Sequence, residues 1–172
     1  MNKGIIFVVG GAKSGKSTFT IKKSSKIPGK KAYIATAEAL DEEMRQRIEN
    51  HKRQRGDEWI TYEEPLKIAN LIEEKKDSYA VLLVDCLTLW LSNVIHADLS
   101  IETETEHLIS SLITPHSSLM YIVSNEVGMG IVPDNKLSRR FRDMAGILNQ
   151  KVAQAADEVY FMVSGIPLKV KG

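Results

Sequence analysis

Cysteine is nearly missing from this sequence. Cys86 stands alone, so no internal disulfide can form and a reducing compartment is expected. Net charge is nearly missing too: 23 basic against 22 acidic residues leave +1 at pH 7, which gives no electrostatic reason to expect nucleic acid or a membrane surface as a partner. Long apolar runs are absent. The run Ile5 to Val9 is too short for the core of a signal peptide, and none approaches the roughly 20 residues that span a bilayer. With no repeat, low-complexity segment or linker, the 172 residues read as one domain over 1–172, long enough to bury a real core. These absences predict a cytoplasmic globular protein. Lys22, Lys23, Lys26, Lys30 and Lys31 read as a solvated helix end and loop rather than a polyanion site.

What is present begins directly after that first apolar run. Gly10, Gly11, Ala12, Lys13, Ser14, Gly15, Lys16 and Ser17 satisfy Gly-x-x-x-x-Gly-Lys-Ser/Thr, the pattern of a phosphate-binding loop. Two glycines let the backbone turn its N–H groups toward phosphate oxygens, and the following helix adds its positive N-terminal end. Lys16 is expected to reach the β- and γ-phosphates and Ser17 to hold Mg²⁺. A nucleoside triphosphate is the predicted ligand. The reaction is not fixed by the loop, which serves kinases, switches and motors alike.

Apolar runs bounded by turn signals alternate with helix-period segments, as in a parallel sheet with crossover helices. Strands are expected near Ile5–Val9, Lys31–Ala35, Ala80–Asp85, Leu119–Ser124 and Glu158–Val163, and helices near Lys16–Lys26, Asp41–Gln54, Pro65–Lys75, Leu87–Ile95, Ile101–Ile113 and Lys136–Ala156. The fold class is therefore α/β, a P-loop NTPase-type (RecA-like) and mostly parallel sheet with helices on both faces.

Several positions carry candidate chemistry. In the Asp41–Gln54 helix, Arg47, His51 and Arg55 recur at i, i+4 and i+8, which aligns them along one stripe. Flanking arginines favour a neutral, nucleophilic histidine and attract phosphate; a solvated basic face has the same spacing. Asp85 ends an apolar strand at the sheet edge where ligands bind, suiting a magnesium contact beside Ser17 or a cap on the next helix. Asn125 and Glu126 reach the same edge. The loop Val127–Pro133, apolar with two glycines, covers a ligand, meets another subunit or packs on the protein's own surface. Arg139 and Arg142, at i and i+3, either grip a second phosphate, or Arg142 joins Asp143 and Glu126 in a structural ion-pair network. His96, His107 and His116 show no ligand spacing and are expected at the surface, without metal.

Together these residues match more than a generic nucleotide fold. The loop Gly10–Ser17, Ile34-Ala35-Thr36-Ala37, Arg47-Ile48-x-x-His51-Lys52-x-x-Arg55, Trp59, Asp85-Cys86-Leu87-Thr88, Asn125-Glu126-Val127-Gly128-x-Gly130-Ile131-Val132-Pro133 and Phe141-Arg142-Asp143-x-x-Gly146-x-x-Asn149-Gln150 resemble the bifunctional adenosylcobinamide kinase and adenosylcobinamide-phosphate guanylyltransferase family. The resemblance runs the length of the chain, with Lys13 where that family often has arginine and Gly56 where proline is common. It implies phosphorylation of adenosylcobinamide by ATP or GTP, then GMP transfer from GTP onto the new phosphate through a histidine, whose matching position is His51. It also implies nucleotide contacts at Gly10–Ser17, at Ala35, Thr36 and Ala37, at Lys52, Arg53, Gln54 and Arg55, and at Glu63 and Asp85. A homotrimer is implied as well, which would give the Val127–Pro133 loop a partner.

Overall fold

The computed structural model describes residues 4–38, 46, 56 and 58–172. The expected helix Asp41–Gln54, with Arg47 and His51, lies outside them except for Gln46, as do Lys52, Arg53, Gln54 and Arg55.

The described strands are β1 (Ile5–Gly10), β2 (Lys31–Ala35), β3 (Trp59–Glu63), β4 (Val81–Asp85), β5 (Leu119–Asn125), β6 (Glu158–Val163) and β7 (Ile166–Lys171). The helices are α1 (Lys16–Ser24), α2 (Ile68–Lys75), α3 (Leu87–His96), α4 (Ile101–Ile113) and α5 (Lys136–Ala155). All the strands join one sheet in the order β3-β2-β4-β5-β1-β6-β7. Every pairing is parallel except β6 with β7. Strand alternation sorts the core: Ile5, Phe7, Val9, Ile34, Leu82 and Val84 face the layer of α2, α3, α4 and α5, whereas Val8, Tyr33, Ala35, Leu83 and Val123 face α1 through Phe19. The central strands are apolar on both faces because both are covered.

Two strands escape the sequence pattern. Trp59–Glu63 is short and polar enough to pass for a connection, yet it pairs in register with Lys31–Ala35. Ile166–Lys171 contains Pro167, which argues against a central strand, but the hairpin puts this strand at the sheet edge, where a missing N–H is tolerated. The helix ends follow their local chemistry: Ser100 accepts a hydrogen bond from Thr103 N at 3.2 Å and Asn135 from Ser138 N at 2.7 Å, each satisfying an N-terminal donor.

Two surface expectations are corrected. Lys31 is buried, with its ammonium 2.8 Å from Glu58, because its position at the start of β2 places it under the β3 entry and a carboxylate is there to pair it. His116 is also buried, its Nδ1 2.7 Å from the Ser118 carbonyl. His96 is exposed and His107 partly exposed, as expected.

Candidate nucleotide site

The loop after β1 lies at the carboxyl edge of the sheet, between β5 and β6. Gly10 admits no side chain, because a Cβ there would lie 2.6 Å from the Met162 carbonyl oxygen of the neighbouring strand. Gly15 precedes α1 with φ +93°, in the left-handed region, where glycine is least strained. The Gly165 N–H, from the β6–β7 turn, donates to the Ser14 carbonyl at 3.0 Å and fixes the loop from the side. Ser14 Oγ is buried in the loop wall with no partner among the described residues, a polar group of the kind a bound anion satisfies.

Lys16 is buried at the base of the loop, and its ammonium donates to the Gly10 and Gly11 carbonyls at 2.9 and 2.7 Å. Burial lowers its pKa, against the opposing pull of Cys86 and Asp85. Ser17, one residue on, donates to Asp85 Oδ2 at 2.8 Å. The residues Ala12–Ser17, with Thr18, Asp85, Cys86 and Asn125, line a cavity of about 550 Å³, within the range of roughly 300–1,000 Å³ usual for small-molecule pockets. Asp85 does not cap α3, whose N-cap residue is Cys86 with no side-chain bond. A hydroxyl and a carboxylate side by side against a phosphate loop are the oxygen donors magnesium takes when substrate phosphates and water complete its shell, so the residues fit that ion. Among the described residues no three His, Cys, Asp or Glu gather as a further metal site.

Asp85 has a second partner that the motifs did not reveal. The Tyr33 hydroxyl donates to the same Oδ2 at 2.8 Å. Tyr33 and Ala35 alternate onto the α1 face of β2, and Ala35 pairs in register with Asp85. Nothing local in the sequence marks this role, since a tyrosine in a buried strand reads as core. Thr36 supports the same edge: its hydroxyl donates to the Cys86 carbonyl and accepts from the Cys86 N–H, both at 2.8 Å. Thr36 is fully buried, and its carbonyl accepts from Asn93 Nδ2 at 2.8 Å. Its N–H donates to the Asp85 carbonyl at 3.2 Å, so all three polar groups of this expected nucleotide contact are engaged within the protein. Cys86 is buried, and desolvation raises its thiol pKa to about 11, which leaves it protonated and inert at neutral pH.

The remaining candidates divide by position. Ala35 and Glu63 end β2 and β3 at the same edge of the sheet, in register with each other. Asn125 lines the loop cavity, its N–H donating to Thr88 Oγ1 at 2.7 Å. Glu126 accepts from the Gly128 N–H at 2.6 Å. Arg139 donates to the Pro133 and Asp134 carbonyls at 2.9 and 2.6 Å, bracing the loop before its own helix, and Arg142 pairs with Asp143 at 3.0 Å. The Val127–Pro133 loop does not pack on the protein's own surface: Met129 is 79% and Ile131 97% exposed.

Fold and loop together define a P-loop nucleoside triphosphate-binding protein. The RadB recombinase shares the fold with a TM-score of 0.56 at 14% identity, over 93% of this chain and 74% of that one. An ATPase from the type III secretion system of pathogenic bacteria does so with a TM-score of 0.57 at 11% identity, over 93% and 51%. Sequence is more specific. Residues 6–170 match the cobinamide kinase / cobinamide phosphate guanyltransferase family, and the chain belongs to that family. It is 41% identical over 167 residues to the bifunctional adenosylcobalamin biosynthesis protein CobP of Pseudomonas aeruginosa, covering 96% of each chain. It is 37% identical over 185 residues to CobU of Escherichia coli, which carries the same description, covering 97% of this chain and 99% of that one. No described helix is long and apolar enough to cross a membrane.

Proposed function

We propose that this protein catalyses two consecutive steps on a corrinoid. In the first, the hydroxyl oxygen of the aminopropanol arm of adenosylcobinamide bonds to the γ-phosphorus of ATP or GTP, the bond to the nucleoside diphosphate breaks and the hydroxyl proton is released. In the second, neutral His51 attacks the α-phosphorus of GTP and pyrophosphate leaves. The cobinamide phosphate then displaces GMP from the histidine to give adenosylcobinamide-GDP. The observation that carries this reading is the placement of Lys16, Ser17 and Asp85 around one cavity under the phosphate loop, in a chain that matches the family from residue 6 to residue 170.

The loop N–H groups and Lys16 hold the β- and γ-phosphates, so in the second step they neutralise the departing pyrophosphate. Mg²⁺ bound by Ser17 and Asp85 would supply further charge neutralisation at those phosphates. Lys16 must leave the Gly10 and Gly11 carbonyls to meet a phosphate, and burial lowers its pKa against the opposing pull of Cys86 and Asp85. Ala35, Thr36, Ala37, Lys52, Arg53, Gln54, Arg55 and Glu63 contact or frame the GTP. Asn125, Glu126, Arg139 and Arg142 lie toward the corrinoid substrate. The working form is a cytoplasmic homotrimer, in which the exposed Val127–Pro133 loop meets a neighbouring subunit.

Splitting GMP transfer through a histidine avoids bringing two polyanions together in one step. Incubation with GTP labelled at the α-phosphate should leave acid-labile label on the protein and none on His51→Ala. Persistent labelling of that variant would remove His51 from the mechanism.

A further inference from the structure

Where β2 and β3 leave the sheet, their backbones leave the ladder that satisfied them. One more rung forms past the strand ends, the Glu64 N–H donating to the Ala35 carbonyl at 2.9 Å. Beyond it a carbonyl must find a side chain or water. The Thr36 carbonyl, one residue past β2, and the Pro65 carbonyl, two past β3, find the same side chain: Asn93 Nδ2 donates to them at 2.8 and 3.1 Å. Only the NH₂ end of an amide can serve two carbonyls, so these partners fix the orientation of Asn93.

Asn93 is half-buried on α3, in the helix layer opposite α1. One turn earlier, on the same face of α3, Trp90 Nε1 donates to the Leu66 carbonyl at 2.8 Å. Leu66 packs on the core, so that bond anchors the connection after β3 without reaching the strand ends. The partners of Asn93 lie 57 and 28 residues from it in the chain, one on each of two neighbouring strand exits. Those exits stand at the carboxyl edge, where an open parallel sheet binds ligands, next to Ala35 and Glu63 in register. The phosphate loop is held by other bonds, from Ser17 to Asp85 and from the Gly165 N–H to the Ser14 carbonyl.

We propose that Asn93 is a positioning residue for GTP. It sets the spacing between the exits of β2 and β3, and thereby the placement of Ala35, Thr36, Ala37 and Glu63 against the nucleoside. Acting through those residues rather than on the phosphates, it contributes equally to the ground state and the transition state, so its loss appears in KM rather than kcat. The inference rests on the functional reading above, which assigns those residues to GTP.

Asn93→Leu keeps the approximate volume and removes both donors. In the full-length protein it should raise the KM for GTP in GMP transfer about fivefold or more, with kcat changed less than about twofold. Its affinity for Mg-tripolyphosphate, which has the phosphate chain and no nucleoside, should stay within about twofold of wild type by titration calorimetry. Trp90→Phe is the matched control: it removes one bond between the same helix and the same connection, and should cost stability while leaving the KM for GTP within about twofold. Asn93→Ser, too short to span both carbonyls, should show the same split and answers the question where the leucine variant does not fold. A folded variant with a wild-type KM overturns the inference. So does one that loses GTP and tripolyphosphate together, one that loses rate instead of affinity, or a Trp90→Phe protein whose KM shifts as far as that of Asn93→Leu, since each marks general disruption. Hydrogen exchange on the wild type tests the reading beneath: GTP should protect peptides spanning residues 34–38 and 60–66 beyond the protection given by tripolyphosphate. Equal protection removes the β2–β3 edge from the GTP site, and the inference with it.

Discussion

The Tyr33–Asp85 hydrogen bond yields the sharpest prediction, because its two ends belong to different strands of the site. Tyr33→Phe removes one hydroxyl from a residue that is 5% exposed, so water does not readily replace it. The lost bond is 2.8 Å long and ends on a carboxylate, and bonds to charged groups contribute about 1.5–3 kcal/mol. The Ser17 bond to the same oxygen remains, which places the cost in that range rather than above it. At about 2–4 °C per kcal/mol for a domain of this size, Tm should fall by roughly 3–12 °C, with an unchanged urea m-value. A double-mutant cycle with Asp85→Asn should return a coupling of at least about 1 kcal/mol. Binding of a fluorescent GTP analogue should weaken with Mg²⁺ present and hold without it, since the carboxylate is then oriented toward the magnesium position by one hydrogen bond, from Ser17, instead of two. A Tyr33→Phe protein within about 0.5 kcal/mol of wild type, the spread of neutral substitutions, would falsify the bond and with it the positioning of Asp85 from β2.

Thr36→Val keeps shape but strands the buried N–H of Cys86, whose carbonyl keeps the Trp90 N–H at 3.1 Å; the expected loss is roughly 1–3 kcal/mol, measured by chemical denaturation. Lys16→Ala should lower both the kinase and guanylyl transfer rates by about 10²–10³-fold, as loss of a charge-stabilising donor does elsewhere, and a variant that retains full GMP transfer would confine the loop to the kinase step. Cys86 should resist iodoacetamide in the native state up to about pH 10. Its thiol is raised from 9.0 to about 11 by burial, so the unfolded chain loses this proton first as pH rises. The corresponding stability is present below about pH 9 and is lost toward pH 11, on the order of 2–3 kcal/mol. Denaturation of wild type and Cys86→Ala across that range should diverge by this amount, and parallel curves would refute it.

The parts of this fold that were legible in the sequence are those where one local signal suffices. The loop Gly10–Ser17 announces itself through fixed residue types, and the apolar runs of β1, β4 and β5 through burial on both sheet faces. Asp85 could be placed beside Ser17 because strand ends at one edge of a parallel sheet converge. Pro167 hid β7, since the rule against proline in strands yields at an edge, which only the strand order reveals. Lys31 and His116 were read as surface residues because a buried charge or imidazole is legible only with its partner, and Glu58 lies 27 residues from Lys31 in the chain. Tyr33 was silent for the same reason: its significance is a bond to a residue 52 positions on. Arg142 had two readings, and the structure shows the pair with Asp143 that one of them named; the contacts of Arg139 with the Pro133 and Asp134 carbonyls are ones no spacing encodes.

The position of β1 governs the order in which the site can be assembled. This strand enters the chain first, yet its neighbours are β5 and β6, which begin at Leu119 and Glu158, and the Gly165 N–H that steadies the loop comes later still. Contacts of such long sequence separation carry the full loop-closure entropy before they repay it and slow folding. As the chain is synthesised, the residues that will grip phosphate wait with both strand edges open through most of elongation. The nucleotide site is thus among the last features to form, and bound nucleotide reports that the distant parts of the chain have met.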